Sequence, residues 1–467
     1  MMKKLLILSW ATLAASTALA EFVSSGTGKV YTFADLAQIE TSGVTLQDGG
    51  YVVSQNFTIA DGDTLRVMNG DVIKLGNKVE VEIKGYGDFQ PADSANVTRA
   101  SDGDNPKGFR FRGDRSGGVL KNMIFDYAGV AYGGATPLLC EGCTFRDYNG
   151  KLSSGSCLTM SASSDGNIVR NCYFSGANTA AISNGANVPV GILVEGNEFR
   201  GNGVSKRNYP QVNLACMDDY NTTIRNNIVV GIGENTLAGG IAVGNMLGAP
   251  FSGQVLIEGN TIEDNRYGIA MVGPMNLSIK NNTMLNNHYE SNPNNGGSGI
   301  SLYDSSNKGK VYIEGNHIEN SLWGITIIGA PTVNAGKVEN PNAEDYNPGR
   351  NVMVNNGNNG TLYDLYNNGK GTVYAQGNKW NVEVQDSASI EQVVTHQADN
   401  PALGLVIFMP AYQEEPSHVS DVNACAEAVE TRYFNLMGIE TREPQAGINV
   451  VVTRYSDGTT KAEKVIR

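Results

Sequence analysis

Between residues 190 and 380, apolar side chains recur at alternate positions in short bursts, each ending at a polar corner. Val255–Ile262 (VLIEGNTI), Leu277–Met284 (LSIKNNTM), Val311–Ile318 (VYIEGNHI) and Ile192–Phe199 (ILVEGNEF) share this phrase. Each has alternating apolar positions, a Gly or Asn corner, and an apolar residue two places after a key Asn; Thr223–Val229 (TIRNNIV) is a shorter version. Alternation places every second side chain on one face of a strand. Runs this short, bounded by turn residues, are strands rather than helices.

Aligned on the key position, the phrases form a column of Cys143, Cys172, Asn197, Asn227, Asn260, Asn282, Asn316, Asn351 and Asn378, at intervals of 29, 25, 30, 33, 22, 34, 35 and 27 residues. The shortest interval defines the minimal coil, and the others carry loop insertions. A second phrase follows in Gly268–Val272 (GIAMV), Gly299–Tyr303 (GISLY) and Gly324–Ile328 (GITII). A single repeat cannot bury its own apolar face, so repeats at a near-regular period stack in parallel around one continuous core. Asn tolerates the left-handed backbone of a tight corner, and stacked Asn side chains can hydrogen-bond as an internal ladder. Cys143 and Cys172 fall in that column and read as neighbouring buried residues, reduced or disulfide-linked. Cys140 with Cys143 has the spacing of half a zinc site, but no second pair or suitably spaced histidine completes it. Cys216 and Cys425 have no evident partner.

These phrases resemble those of right-handed parallel β-helix proteins of the pectate-lyase-like class, over roughly residues 60–410. The expected fold is all-β: a right-handed parallel β-helix with short capping helices and a small C-terminal β module. Asn294–Ser301, Asn342–Gly349 and Leu365–Asn368 further resemble secreted β-helix proteins of Bacteroidetes bacteria, a likeness that carries no assigned reaction. Both ends of a parallel stack need covers. Tyr31–Glu40 (YTFADLAQIE) reads as a helical cap, with first coils over 43–99. Ser387–Val394 reads as a helix and Leu403–Met409 as a buried strand closing the other end.

The N-terminus combines Lys3 and Lys4, an apolar stretch from Leu5 to Leu13, and Thr17-Ala18-Leu19-Ala20 before Glu21. That is the order of a cleaved signal peptide over 1–20, too short in its apolar part to span a bilayer. The expected divisions are a β-helix with its N-terminal cap over 21–411, a polar linker over 412–428, and a C-terminal segment over 429–467. The last contains Asn435-Leu436-Met437-Gly438, Gly447–Val452 and a terminal Lys464-Val465. It resembles the sorting domain of type IX secretion cargo, which implies an export machinery as partner and a secreted or outer-membrane-surface location reached through the periplasm. No later apolar stretch is long enough for a transmembrane span in the mature chain.

Glycine is abundant (56 residues) and charged residues are few (17%), as suits strands joined by many turns. The net charge of −13 repels nucleic acid backbones, and no basic cluster offsets it. Acidic polysaccharides meet the same average repulsion unless a local basic groove or bridging Ca²⁺ intervenes.

Enzymes on the resembled fold act along one strand face and its adjoining loops. A lyase needs a base and a group that neutralises a uronate; a hydrolase needs two carboxyls. The outward row predicted here includes Thr159, Asn213, Ala242, Ala270, Ser301 and Thr326, none of them ionisable. Candidate catalytic groups therefore lie in loops: Lys206, Arg207, His288 and Glu290. Tyr209 and Tyr303 are candidate sugar contacts. Asp218 with Asp219, and Glu344 with Asp345, are candidate Ca²⁺ ligands. The expected function is engagement of polysaccharide, as a divergent lyase or hydrolase or as a non-catalytic surface adhesin or scaffold.

Overall fold

The computed structural model describes residues 21–412 except 206, 233 and 234, and residues 428–467 except 436, 437 and 457. The signal segment 1–20, Lys206, Cys425 and nearly all of the linker lie outside the described residues. The contacts divide the chain into two units, 1–412 and 413–467.

The first unit winds as a right-handed parallel β-helix of three long sheets. Sheet A has 14 strands from Phe22–Val23 to Val394–Thr395; sheet B has 14 from Val30–Thr32 to Val406–Ile407; sheet C has 13 from Val44–Gln47 to Val352–Val354. One coil shows the path. Ile241–Gly244 lies in A, Gln254–Glu258 in B and Thr261–Glu263 in C, before Ile269–Val272 returns to A. Each strand pairs in parallel with its counterpart one coil on, so Val255 aligns with Leu277 and Leu277 with Val311. Within the three sheets, the antiparallel pairing is that of Val44–Gln47 with Gly50–Val53, at the start of sheet C.

Because the period within a strand is two, this register stacks like on like along the axis. On the inner face of sheet C, Phe125, Phe145, Phe174 and Phe199 stack with centroids 4.7, 4.9 and 5.1 Å apart and interplanar angles of 12°, 3° and 10°. All four rings are fully buried.

The B-to-C corner carries the ladder. Each amide donates to the side chain one coil ahead: Cys172 N–H to Asn197 Oδ1 (2.9 Å), Asn197 to Asn227 (2.9 Å), Asn227 to Asn260 (3.0 Å) and Asn260 to Asn282 (3.0 Å). The series continues through Asn316 and Asn351 to Asn378. From Asn197 onward each Nδ2 also donates to the next Oδ1 and to a backbone carbonyl of an earlier coil, such as Asn260 Nδ2 to Ile224 O at 2.9 Å. One expectation needs correcting: the ladder Asn is not the left-handed residue. That conformation belongs to the residue before it, as in Gly196 (φ 63°), Asn226 (55°), Gly259 (65°) and Asn281 (53°). Turning there frees the following Asn to aim inward.

A second amide column, unforeseen in the sequence, lies at the C-to-A corner five residues after the first: Asn202, Asn265, Asn287, Ser321 and Asn356, all buried. Its left-handed residues again come one position earlier, at Gly201, Asp264, Asn286, Asn320 and Asn355. The coil of Asn227 has Ile232 at this position, and Gln211 fills the gap. Its Oε1 accepts from Asn202 Nδ2 at 3.0 Å and its Nε2 donates to Asn265 Oδ1 at 2.9 Å.

The caps are smaller than their sequences suggested. The N-terminal helix is one turn, Phe33–Leu36, opened by a Thr32/Asp35 capping box, while Tyr31 and Thr32 belong to a strand of sheet B. The C-terminal helix covers only Ser387–Ile390, and Val394 joins sheet A. The closing strand is Val406–Ile407 alone. At both ends pairing with the neighbouring coil captures residues that a longer helix would have used.

The second unit is a four-stranded antiparallel sheet built from Ala428–Asn435, Glu440–Thr441, Ile448–Tyr455 and Thr460–Ile466.

Candidate functional site

Sheet A presents the face on which the candidate residues converge or fail to. Its outward row runs Thr58, Glu82, Arg110, Ala131, Thr159, Ser183, Asn213, Ala242, Ala270, Ser301, Thr326 and Tyr366, aligned coil by coil. A second outward row runs Ala215, Gly244, Val272, Tyr303, Ile328 and Asn368.

The face has two parts. At its N-terminal end the row is ionisable, which the shorter row read from sequence did not include. Glu80 pairs with Lys107 (3.0 Å) and Arg110 (2.5 Å), and Glu82 pairs with Arg112 and Lys84. Burial works against the Glu80 carboxylate, but hydrogen bonds from Arg110 and Lys107 hold it below its ordinary range. These carboxylates are engaged by their cations. The alternation of Glu80, Glu82 and Lys84 with Val81 and Ile83 was the signal for them.

From Asn213 to Tyr366 the floor is uncharged in both rows. At about 4.8 Å per coil, five steps make a strip of roughly 24 Å. It ends on an aromatic cluster. The Trp323 ring lies 4.6 Å from Tyr363 and 5.6 Å from Tyr366, all three are half-buried, and Trp323 Nε1 donates to Pro293 O at 3.2 Å. Tyr303, 43% exposed, stands in the second row one coil before Ile328. Such rings offer apolar faces with a polar edge.

The loop candidates divide between the two banks of sheet A: Arg207, Tyr209, His288 and Glu290 lie in C-to-A connections, where Asn235 Nδ2 donates to Arg207 O at 3.0 Å and Thr236 Oγ1 to Glu290 Oε2 at 3.2 Å. Arg207 and Tyr209 precede Val212–Ala215, whereas Asp218 and Asp219 follow it. A strand of four residues, roughly 13 Å at about 3.3 Å per residue, keeps them on opposite banks of sheet A. His288 Nδ1 faces Asn320 O at 2.6 Å. Glu290 accepts from the Asn292 amide (3.0 Å) and Thr236 Oγ1 (3.2 Å). The Asn292 hydrogen bond above all holds its carboxyl below the usual range.

Glu344 and Asp345 lie elsewhere, in an open groove of about 460 Å³ on the outer face of sheet B, lined also by Gln254, Asn276, Lys310 and Tyr312. Asp345 is paired with Lys337 at 2.6 Å. Among the described residues, neither acidic pair is joined by a third His, Cys or carboxylate group. The groups that do come together in threes are Glu391–His396–Asp399 and Cys140–Cys143–Cys172. In the first, both ring nitrogens are engaged: Nδ1 accepts from the Val406 amide and Nε2 faces Glu391, each at 2.9 Å. That closes the C-terminal coil and leaves no nitrogen for an ion.

The second group is three free, buried thiols. Cys140 Sγ lies 3.8 Å from Cys172 Sγ, and the Cys143 amide donates to Cys172 Sγ at 3.4 Å. Burial opposes ionisation of Cys143, but hydrogen bonds from Cys140 and Cys172 and from the Met123 amide bring it well below its ordinary value. Hydrogen bonding to Cys143 pushes Cys140 well up, and burial does the same to Cys172. Sequence spacing linked Cys143 to Cys172 but missed that the inward row of sheet B brings Cys140 to the same corner.

Among the described residues, no helix is long and apolar enough to cross a membrane. The chain matches the family described as "Right handed beta helix region" over residues 32–335. No curated protein matches it. Among solved structures, it is similar to the catalytic domain of a GH87 α-1,3-glucanase in complex with nigerose, at 13% identity and a TM-score of 0.35, covering 78% of this chain and 70% of that one. It is also similar to the periplasmic alginate epimerase AlgG, at 12% identity and a TM-score of 0.30, covering 82% of each.

Proposed function

Because the chain belongs to the right-handed β-helix family, whose fold leaves long strand faces open, we propose that it engages a polysaccharide strand along sheet A. The observation that carries this reading is the uncharged strip from Asn213 to Thr326 ending on the Trp323–Tyr363–Tyr366 cluster. Aromatic rings stack on the apolar faces of sugars, and the small floor residues let a chain approach the sheet. A protein of net charge −13 with an uncharged floor favours neutral over uronate polymers.

Recognition without bond cleavage is the version the geometry favours. Asp218 stands on the opposite bank of sheet A from Arg207, His288 and Glu290, and the carboxylates of the N-terminal end are held by Arg110, Lys107 and Arg112. The adhesin reading is therefore preferred to the lyase or hydrolase reading. Export fits such a role. The N-terminal signal pattern carries the chain into the periplasm, and the C-terminal segment directs it to the cell surface. Ca²⁺ is not needed for binding a neutral strand.

The test is a glycan array of neutral and acidic polysaccharides, probed with the purified chain and followed by analysis of soluble products, with and without Ca²⁺. Retention on neutral glycans without released oligosaccharides is expected. No retention defeats the proposal, and unsaturated or reducing-end products restore the catalytic reading.

A further inference from the structure

The thiols of Cys140, Cys143 and Cys172 have a geometry that packing alone does not require. The inward row of sheet B runs Leu120, Cys140, Val169 and Val194, so Cys140 replaces a larger aliphatic side chain. The space it leaves lies where that row meets the ladder column. The Cys172 sulfur enters from the next coil and the Cys143 sulfur from the adjoining corner. All three sulfurs lie within 4.8 Å of one another.

We propose that this trio is a buried binding site for a thiophilic metal ion of low coordination number, with Cu⁺ as the fitting case. Metal–sulfur bonds of about 2.3 Å put sulfurs roughly 3.8–4.0 Å apart in tetrahedral or trigonal geometry, and Cys140 and Cys172 stand at 3.8 Å. Soft thiolate donors select Cu⁺ or Zn²⁺. Zinc takes a fourth ligand, but among the described residues the cluster holds three ligand atoms and is sealed from solvent, with Cys140, Cys143 and Cys172 at most 3% exposed. Cu⁺ accepts two or three sulfurs and needs no water. Binding displaces the thiol protons to solvent. The backbone is arranged for a resulting thiolate, with the Cys143 amide directed at Cys172 Sγ. That donor occupies a ladder position, where amide meets amide oxygen farther along.

The experiment equilibrates the full chain, kept reduced under anaerobic conditions, with Cu⁺ buffered by bicinchoninate. One Cu⁺ per chain is expected, with ultraviolet thiolate-to-copper absorbance. Cys172→Asn, which restores the residue type of the column, and Cys140→Val, which matches Val169, should each weaken binding at least a hundredfold while leaving the circular dichroism of the β-helix intact. Cys157→Ala and Cys216→Ala, which alter buried thiols outside the trio, should leave it unchanged. Failure to compete with bicinchoninate, a Cys140–Cys172 disulfide in the freshly isolated chain, or a preference for Zn²⁺ over Cu⁺ would each overturn the assignment.

Discussion

Asn260 reaches one oxygen twice: its backbone amide and its Nδ2 donate to Asn282 Oδ1 at 3.0 and 2.8 Å. Asn282 in turn donates to Ile257 O at 2.9 Å and to Asn316 Oδ1 at 3.0 Å. Each ladder residue therefore satisfies polar groups of the coils on either side, in a corner closed to water.

Asn282→Ala removes these partners at once. Unsatisfied buried groups cost about 1–3 kcal/mol each, so a loss of roughly 2–5 kcal/mol is expected. Urea denaturation followed by circular dichroism measures it. A midpoint equal to that of the unaltered chain would show that the corner tolerates unpaired groups.

The ring of Phe174 lies between Phe145 and Phe199 at 4.9 and 5.1 Å. Phe174→Ala opens a cavity in a stack held by neighbouring coils, which cannot close in without breaking register. A cost of about 3–5 kcal/mol is expected, again read from denaturation. Phe33→Ala at the cap should disturb the end of the stack alone, leaving most of the β signal in place at denaturant concentrations that unfold Phe174→Ala.

Asp364 is fully buried, and burial pushes its carboxyl up to about 7 despite hydrogen bonds from the Asn381 amide and the Asn356 side chain. The folded state thus holds a proton that the unfolded chain releases near 3.8. Between these values stability falls as pH rises, because folding binds a proton, by roughly 1.4 kcal/mol per unit of displacement. Below pH 4 the contribution is fully favourable; above 7 it is lost. Asp364→Asn should flatten this dependence and raise the melting temperature at pH 8. A slope unchanged between pH 4 and 7 would place the proton elsewhere.

Much of this architecture was legible in the sequence because the ladder phrase is local: strand, left-handed corner and buried Asn fall within eight residues, as in Val255–Ile262. The second amide column was not, because its members change type from Asn202 to Ser321 and Gln211 enters from a loop. The sizes of the caps were hidden because pairing with the last coil, not helix propensity, decides where Ser387–Ile390 ends. The aromatic cluster was invisible for a similar reason. Trp323 and Tyr366 are distant in the chain, and their meeting depends on a whole coil, with Thr332–Asn334 in sheet B and Val352–Val354 in sheet C, returning to sheet A. Conversely, the loop charges near Arg207 and Asp218 looked adjacent in sequence, yet one strand sets them on opposite banks.

An uncharged floor also fixes how binding responds to salt. Neutral-glycan retention on sheet A should change by less than about twofold between low and high ionic strength, since screening acts on charge pairs. A steep loss would move the site to the charged end around Glu80 and Arg110.

The most direct measurement is affinity electrophoresis of the purified chain and of Tyr366→Ala and Trp323→Ala through gels containing a neutral glycan retained in the array. Removing one stacking ring should weaken retardation at least tenfold while His288→Ala and Glu290→Gln migrate like the unaltered chain. Equal retardation of Tyr366→Ala, Trp323→Ala and the unaltered chain, each with an intact β signal, would contradict recognition along this face.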